Sequence, residues 1–316
     1  MPTVDLGCGA GEPEGLSTLA QTLDAALTST GFIALRNARV PAAVEAAAFA
    51  AARAFFAEPL STKARFGYSS AAANFGYQAP LTEALDPAVA PDLKESFTMR
   101  DLRHRTRDAG WPSAGFQRAA EAMYDACFDA SMLLLRVFAV ALGEAPDFFT
   151  RLHSGENATL RFLHYPAAGL ERSDAEQMGA GAHTDYGALT LLFQRGVGGL
   201  QLKPEGSSSW IDVPPVAGAV NVNTGDLMTH WSNGRYPSTL HRVQPKLGTE
   251  DRFSIAFFCD PDADAPVICL PQCVSADRPA RFADTTAGAH IQQRIEASQA
   301  HLQLDAEPAA RREPVA

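Results

Sequence analysis

The sequence predicts a mainly β protein, an antiparallel sandwich or jelly-roll barrel with helices packed outside it. Three observations lead there. After about Ala158, seven short β-rich segments follow one another without an intervening helix, each bounded by Gly, Pro, Asn or Asp. Before that point the apolar spacing is helical. The chain has 316 residues, 46% hydrophobic and 20% charged, which suffices to bury one large core.

Taken in order, "LSTLAQTLDAALTSTGF" puts Leu16, Leu19, Leu23 and Leu27 on one helical face that ends near Gly31. "GFIALRN" reads as a short buried strand. "PAAVEAAAFAAARAFFAEPL" is an alanine-rich helix that starts at Pro41 and stops before Pro59. From Ser61 to Trp111 the text is irregular, punctuated by Gly, Pro and Asn, and is expected to form a lid or binding segment. "FQRAAEAMYDACFDASMLLLRVFAVALG" is a long amphipathic helix and the expected spine of the fold. The seven strands are "ATLRFLHYP", "ALTLLFQ", "GLQLK", "SWIDVPP", "AVNVNTGDLM", "STLHRVQP" and "RFSIAFFCDP". A last helix is "AHIQQRIEASQAHLQL", and the polar tail "DAEPAARREPVA" is expected to be disordered. The organisation expected is therefore an N-terminal region with the lid (1–112), the spine helix and its connection (113–157), the β core (158–262), a C-terminal segment with its helix (263–305) and the tail (306–316).

The 26 basic residues against 36 acidic ones leave a net charge of −10. That balance argues against nucleic acid or an anionic membrane as the main partner. Any cation that greets an anionic ligand must then be local. The five cysteines are Cys8, Cys127, Cys259, Cys269 and Cys273, an odd number with no C-x-x-C spacing, so reduced thiols are expected. No secretory signal and no membrane-length apolar run is visible. A cytoplasmic monomer is the expectation.

Chemistry gathers on the second half. In "GAHTDYG", His183 and Asp185 stand two apart, and in an extended segment such residues point to one side. Alone they read as a turn with a solvated acid. His241, inside the predicted strand "STLHRVQP", can supply a third group. Two histidines and a carboxylate make the facial triad that holds non-haem Fe(II) and leaves positions open. A structural zinc site would close all four positions, commonly with cysteines. On the last strand Arg252 and Ser254 share a face, and a guanidinium beside a hydroxyl suits a carboxylate. Tyr165 in "LHYP" can present a phenol to the same group.

These motifs, in this order, resemble the Fe(II)- and 2-oxoglutarate-dependent dioxygenases of the isopenicillin N synthase-like family. Plant flavonoid and gibberellin oxidases, fungal thymine hydroxylases and bacterial ethylene-forming enzymes belong to it. The resemblance runs over most of the chain, through "AFFAEPLSTKARF", "DLKESF", "LRFLHYP", "GAHTDYGALTLLFQ", "NTGDLMTHWSNGRYPSTLHRV" and "RFSIAFFCDP". It implies a double-stranded β-helix (jelly roll) core of the clavaminate/isopenicillin N synthase type. It implies Fe(II) on His183, Asp185 and His241, and 2-oxoglutarate on Arg252 and Ser254 with help from Tyr165. It implies O₂ as oxidant, ascorbate as a stimulant and a small-molecule substrate, with release of succinate and CO₂ and no catalytic side chain beyond the iron centre. Many plant members carry an asparagine where this chain has Leu163, and His164 gains no ligand role from the motif. Isopenicillin N synthase carries a similar Arg-x-Ser pair without using 2-oxoglutarate. A 2-oxoglutarate-independent oxidase of that type, an ethylene-forming enzyme, an inactive jelly-roll binder and a zinc or nickel isomerase remain alternatives. The aromatic side chains expected to line the substrate site are Phe75, Tyr77, Phe97, Tyr186, Trp231 and Phe258.

Overall fold

A computed structural model describes residues 1–7, 13–86, 89–104, 110–167, 177–244 and 250–304, with backbone alone from 297 onward. Cys8 and the tail 306–316 lie outside the described residues. In chain order the elements are β1 (Thr3–Asp5), α1 (Pro13–Thr30), β2 (Phe32–Arg36), α2 (Ala42–Phe56), α3 (Leu60–Lys63), β3 (Phe75–Gln78), β4 (Glu95–Arg100), α4 (Ala114–Ala141), β5 (Thr159–Tyr165), β6 (Ala180–His183), β7 (Leu189–Arg195) and β8 (Leu200–Lys203). They continue with β9 (Ile211–Asp212), β10 (Ala219–Thr224), α5 (Asp226–Trp231), β11 (Leu240–Val243), β12 (Arg252–Cys259), β13 (Pro266–Val267), β14 (Thr285–Thr286) and α6 (Ala287–Leu304).

Two sheets face one another. The larger has the order β1-β2-β10-β7-β12-β5-β4-β3 and the smaller β6-β11-β8-β9. The order is far from sequential, as a jelly roll requires. The expected jelly-roll core with flanking helices is what the chain forms.

The larger sheet buries both faces. Along β12, Phe253, Ile255 and Phe257 point to one side and Arg252, Ser254, Ala256 and Phe258 to the other, as the period of two demands. The first set joins the main core. Phe257 is fully buried and meets Tyr124 of α4 edge to face, with ring centroids 5.2 Å apart. Helix α4 is the expected spine. Its N-terminus is set by Ser113, whose Oγ accepts from the Phe116 N–H at 3.1 Å. Helices α1 and α2 pack on α4, and the predicted face Leu16, Leu19, Leu23 and Leu27 is buried. The second set on β12 faces the small sheet. A minor apolar cluster of Phe32, Ala180, Leu200, Leu202, Val213 and Val243 closes one part of that gap, and a cavity fills the rest.

The structure corrects the sequence reading in three places. The segment 61–111 is not all irregular, because β3 and β4 extend the large sheet beyond β5. Its apolar residues alternate, but over runs too short to read through the Gly and Pro around them. The strand expected over "AVNVNTGDLM" stops at Thr224, and α5 follows. Gly225 makes that switch possible: a Cβ there would fall 2.4 Å from the Gly187 carbonyl oxygen and 2.8 Å from that of Asp185. Strand β6, which carries His183, was not foreseen; "GAGAH" has too little side chain to signal a strand.

Candidate active site

The cavity between the sheets has a volume of about 390 Å³ and is lined from both. Strands β6 and β11 are neighbours, with His183 and His241 in register. Asp185 follows in the turn after β6, which α5 covers: the Asp226 and Leu227 N–H groups donate to the Asp185 and Gly187 carbonyls at 2.8 and 3.1 Å. One ligating atom each from His183, Asp185 and His241 can be chosen so that all lie within 4.8 Å of one another. Asp185 Oδ1 is 3.9 Å from His183 Nε2 and 3.7 Å from His241 Nε2.

The remaining atoms of the three side chains are occupied. His183 Nδ1 lies 2.8 Å from the Gly181 carbonyl oxygen, and His241 Nδ1 lies 3.0 Å from that of Thr239. A carbonyl only accepts, so both Nδ1 atoms carry a proton, and both Nε2 atoms face Asp185. Asp185 Oδ2 accepts from Thr190 Oγ1 at 2.6 Å and from Asn223 Nδ2 at 2.7 Å, which leaves Oδ1 for the cavity. Burial, the neighbouring imidazole and nearby Lys94 keep His183 neutral, overcoming the pull of Asp185 and the Gly181 carbonyl. Burial disfavours the Asp185 carboxylate, but the two imidazoles, Thr190 and Asn223 outweigh it and hold it below the ordinary range. Two imidazoles that present Nε2 and an ionised carboxylate with oriented outer atoms are a fit donor set for a divalent iron.

Arg252 is buried on the same cavity wall. Its Nη1 donates to Ser254 Oγ at 3.2 Å and its Nη2 to Gln194 Oε1 at 2.9 Å, and it stacks 4.4 Å over the Tyr165 ring. Its Nε is buried without a partner, and among the described residues no carboxylate pairs with it. A buried cation without a counter-ion is expensive, so this wall is built to receive an anion.

A second polar group lines the cavity further along. Arg161 Nη2 donates to Gln78 Oε1 (3.1 Å), Glu83 Oε2 (2.7 Å) and Ser96 Oγ (2.9 Å). Lys94 pairs with Glu83 at 2.9 Å and also with Asp92. Asp92 Oδ1 in turn accepts from the Gly181 N–H at 2.8 Å, which ties the network to β6.

Of the aromatic residues expected around the substrate, Tyr186 and Phe258 line the cavity, whereas Phe75, Tyr77, Phe97 and Trp231 do not. Alternation on β4 sends Thr98 and Arg100 to the cavity and Phe97 to the core, where it meets Phe75 at 5.6 Å. Tyr77 donates its hydroxyl to the buried Glu95. Trp231 donates from Nε1 to the Pro266 carbonyl at 3.1 Å and packs on Phe149. His164 points away from the triad, between Phe56 and Phe253, with Nδ1 2.7 Å from Glu95 Oε1. Leu163 does face the cavity. Sequence reasoning missed Thr190, Asn223 and Gln194. Two asparagines alternating on a buried strand, Asn221 and Asn223, were the one available signal.

Known proteins resemble this chain in sequence and fold. Residues 156–261 match the model of the 2OG-Fe(II) oxygenase superfamily, and residues 1–129 match that of the non-haem dioxygenase in morphine synthesis N-terminal family. The 2-oxoglutarate-Fe(II) type oxidoreductase hxnY of Emericella nidulans is 34% identical over 284 residues, which cover 85% of this chain and 81% of that protein. The full-length thymine hydroxylase of Neurospora crassa, solved with alpha-ketoglutarate and thymine, superposes with a TM-score of 0.82 at 30% identity, covering 94% of this chain and 97% of that one. A putative 2OG-Fe(II) oxygenase family protein of Caulobacter crescentus gives 0.80 at 30% identity, covering 94% and 98%. Sequence, fold and the cavity's donor set agree: this chain belongs to the 2OG-Fe(II) oxygenase superfamily and is a non-haem, Fe(II)- and 2-oxoglutarate-dependent dioxygenase.

Proposed function

We propose that His183, Asp185 and His241 hold the ferrous ion and that Arg252, Ser254 and Tyr165 seat the far carboxylate of 2-oxoglutarate, for hydroxylation of a small molecule in the same cavity. One observation carries the reading: a single cavity joins a His-Asp-His face to a buried arginine that has no counter-ion among the described residues. When bound, the iron supplies the oxidising chemistry, coupling decarboxylation of 2-oxoglutarate to succinate and CO₂ with oxidation of a substrate C–H bond by O₂.

The protein's own residues do the rest. Gly181 and Thr239 orient the imidazoles, and Thr190 and Asn223 turn the Asp185 carboxylate. Arg252 and Ser254 offer three N–H or O–H donors to one end of a dicarboxylate, and the stacked Tyr165 ring fixes the orientation of the planar guanidinium. Leu192, Leu200 and Val243 exclude water around them. The uncompensated Arg252 favours use of 2-oxoglutarate over the oxidase chemistry that does without it. Tyr186 and Phe258 are the aromatic contacts available to a substrate. The thymine complex of the Neurospora relative supports a substrate of that size. No helix among the described residues is long and apolar enough to cross a membrane, and Cys127, Cys259, Cys269 and Cys273 are free and buried. The free buried thiols suit a reducing compartment such as the cytoplasm; a monomeric state and stimulation by ascorbate remain part of the proposal, from the family resemblance.

The test is anaerobic Fe(II) titration followed by succinate release in air. Wild-type protein binds one Fe(II) and releases succinate, and a chelator stops it. His183→Ala loses the metal and the release together. Arg252→Gln raises the apparent KM for 2-oxoglutarate about a hundredfold, the loss of a charge-assisted pair. Full turnover by His183→Ala, or turnover supported by zinc alone, would overturn the assignment.

A further inference from the structure

The iron face and its arginine use only part of the cavity. Down β12 the cavity-facing residues are Arg252, Ser254, Ala256 and Phe258, and Asp260 follows the strand end. At the rise of a strand, Arg252 and Phe258 stand about 20 Å apart. Phe258 belongs to one row across the sheet. Arg100 of β4 is in register with Thr159, Thr159 with Phe258, Phe258 with Thr190, and Thr190 with Asn223. All five line the cavity. Thr190 and Asn223 hold Asp185 at one end of the row. Arg100 stands toward the other, three strand spacings from Thr190, or about 14 Å at the backbone. The interval between the two has room for a small molecule.

Charge singles out Arg100. On the cavity wall Arg161 and Lys94 are answered by Glu83 and Asp92. Arg252, Asp185, the ferrous ion and the 2-oxoglutarate dianion together carry no net charge. Arg100 is left over: its guanidinium makes no hydrogen bond or ion pair among the described residues, and its Nε is buried without a partner. Asp260 also lines the cavity and feels the Arg100 charge, but forms no ion pair with it. Burial pushes the Asp260 carboxyl up to about 7, with Arg100 opposing and Asp185 adding, so near neutrality its hydroxyl form is available to donate. Its position is tightly defined. A Cβ on Gly187 would fall 1.5 Å from Asp260 Oδ1, so only glycine lets this acid rest on the turn that carries Asp185.

We propose that Arg100, with Asp260 on the wall of the same cavity, anchors the substrate, and that the substrate is a small organic oxyanion, in its simplest form a carboxylate, seated on the Arg100 guanidinium with its oxidised carbon toward Asp185. The inference rests on Arg252 being taken by 2-oxoglutarate, which leaves Arg100 as the second anion site. An oxyanion supplies what the guanidinium lacks, and a neutral amide of the same shape supplies less.

The experiment loads wild-type protein with redox-inert Mn(II) and saturating 2-oxoglutarate, then titrates it calorimetrically with benzoate and phenylacetate and with benzamide and phenylacetamide. The acids should bind about tenfold or more tightly than the amides, the worth of a charged hydrogen bond. Arg100→Gln should erase that preference, and Arg100→Lys should keep part of it. Acids that bind no better than amides to wild-type protein overturn the proposal, as does a preference that survives in Arg100→Gln. The wild-type comparison decides the matter even where a variant fails to fold. Failure of the 2-oxoglutarate assignment shows separately, as no binding of 2-oxoglutarate to the Mn(II)-loaded protein.

Discussion

Removing the two hydrogen bonds behind Asp185 should weaken iron binding without unfolding the protein. Oδ2 accepts at 2.6 Å from Thr190 and at 2.7 Å from Asn223, and both donors are buried. Thr190→Val keeps the shape and deletes one donor. Asn223→Ala deletes the other. Two effects of opposite sign follow. A carboxylate that loses hydrogen bonds becomes more basic, which favours a cation. It also becomes free to rotate, so that Oδ1 no longer meets the two Nε2 atoms at a common point. Loss of such outer contacts typically lowers metal affinity about 10–100-fold, so position outweighs basicity. That range equals about 1.4–2.8 kcal/mol, close to the worth of one hydrogen bond to a charged group. Each single variant should therefore raise the Fe(II) Kd about 10–100-fold in anaerobic competition against a chromophoric chelator. The double variant should exceed either, though not additively, since both bonds fix one torsion. A double variant that folds and binds Fe(II) within twofold of wild type would refute the argument.

Two further outcomes concern stability. His153 is buried, its Nδ1 lies 2.7 Å from the Phe149 carbonyl oxygen, and burial lowers its pKa to about 4. The folded protein thus keeps it neutral where the unfolded chain, at about 6.5, binds a proton. This contribution is fully present above pH 6.5 and is lost as the pH falls toward 4, by up to about 3 kcal/mol. Urea unfolding at pH 7 and pH 4.5 should show His153→Gln losing less stability with acid than wild type; equal losses would refute the assignment. Glu95 holds a buried knot in which Oε1 lies 2.7 Å from His164 Nδ1 and Oε2 accepts from Lys63 Nζ at 2.7 Å and from the Tyr77 hydroxyl. Glu95→Gln leaves Lys63 buried without a counter-ion and should cost about 3–5 kcal/mol by the same urea assay. A loss below about 1 kcal/mol would show that Lys63 finds water instead.

Much of this protein was legible in one dimension because the signals were local. The leucines of α1 repeat at helical spacing, and β12 alternates at strand spacing, so their faces could be assigned before any packing was known. His183 and Asp185 are two residues apart, and the turn between them is short. That nearness, with His241 in a strand and Arg252-x-Ser254 in another, carried the family and its chemistry. What sequence could not carry was any contact between strands distant in the chain. Whether Phe97 or Arg100 faces the cavity depends on which side of β4 the sheet turns inward, and an isolated strand has no inside. Thr190 and Asn223 are ordinary residues until β7 and β10 pair and bring both to one carboxylate oxygen. Arg100 lies on β4 and Asp260 just past the end of β12, and only the register of the large sheet brings both to the cavity that holds the triad, with no ion pair between them. Sequence determined the fold class and the candidate iron ligands through short-range periodicity and spacing. The tertiary structure decided which groups orient them and which charges stay uncompensated, because burial and pairing are properties of the folded sheet.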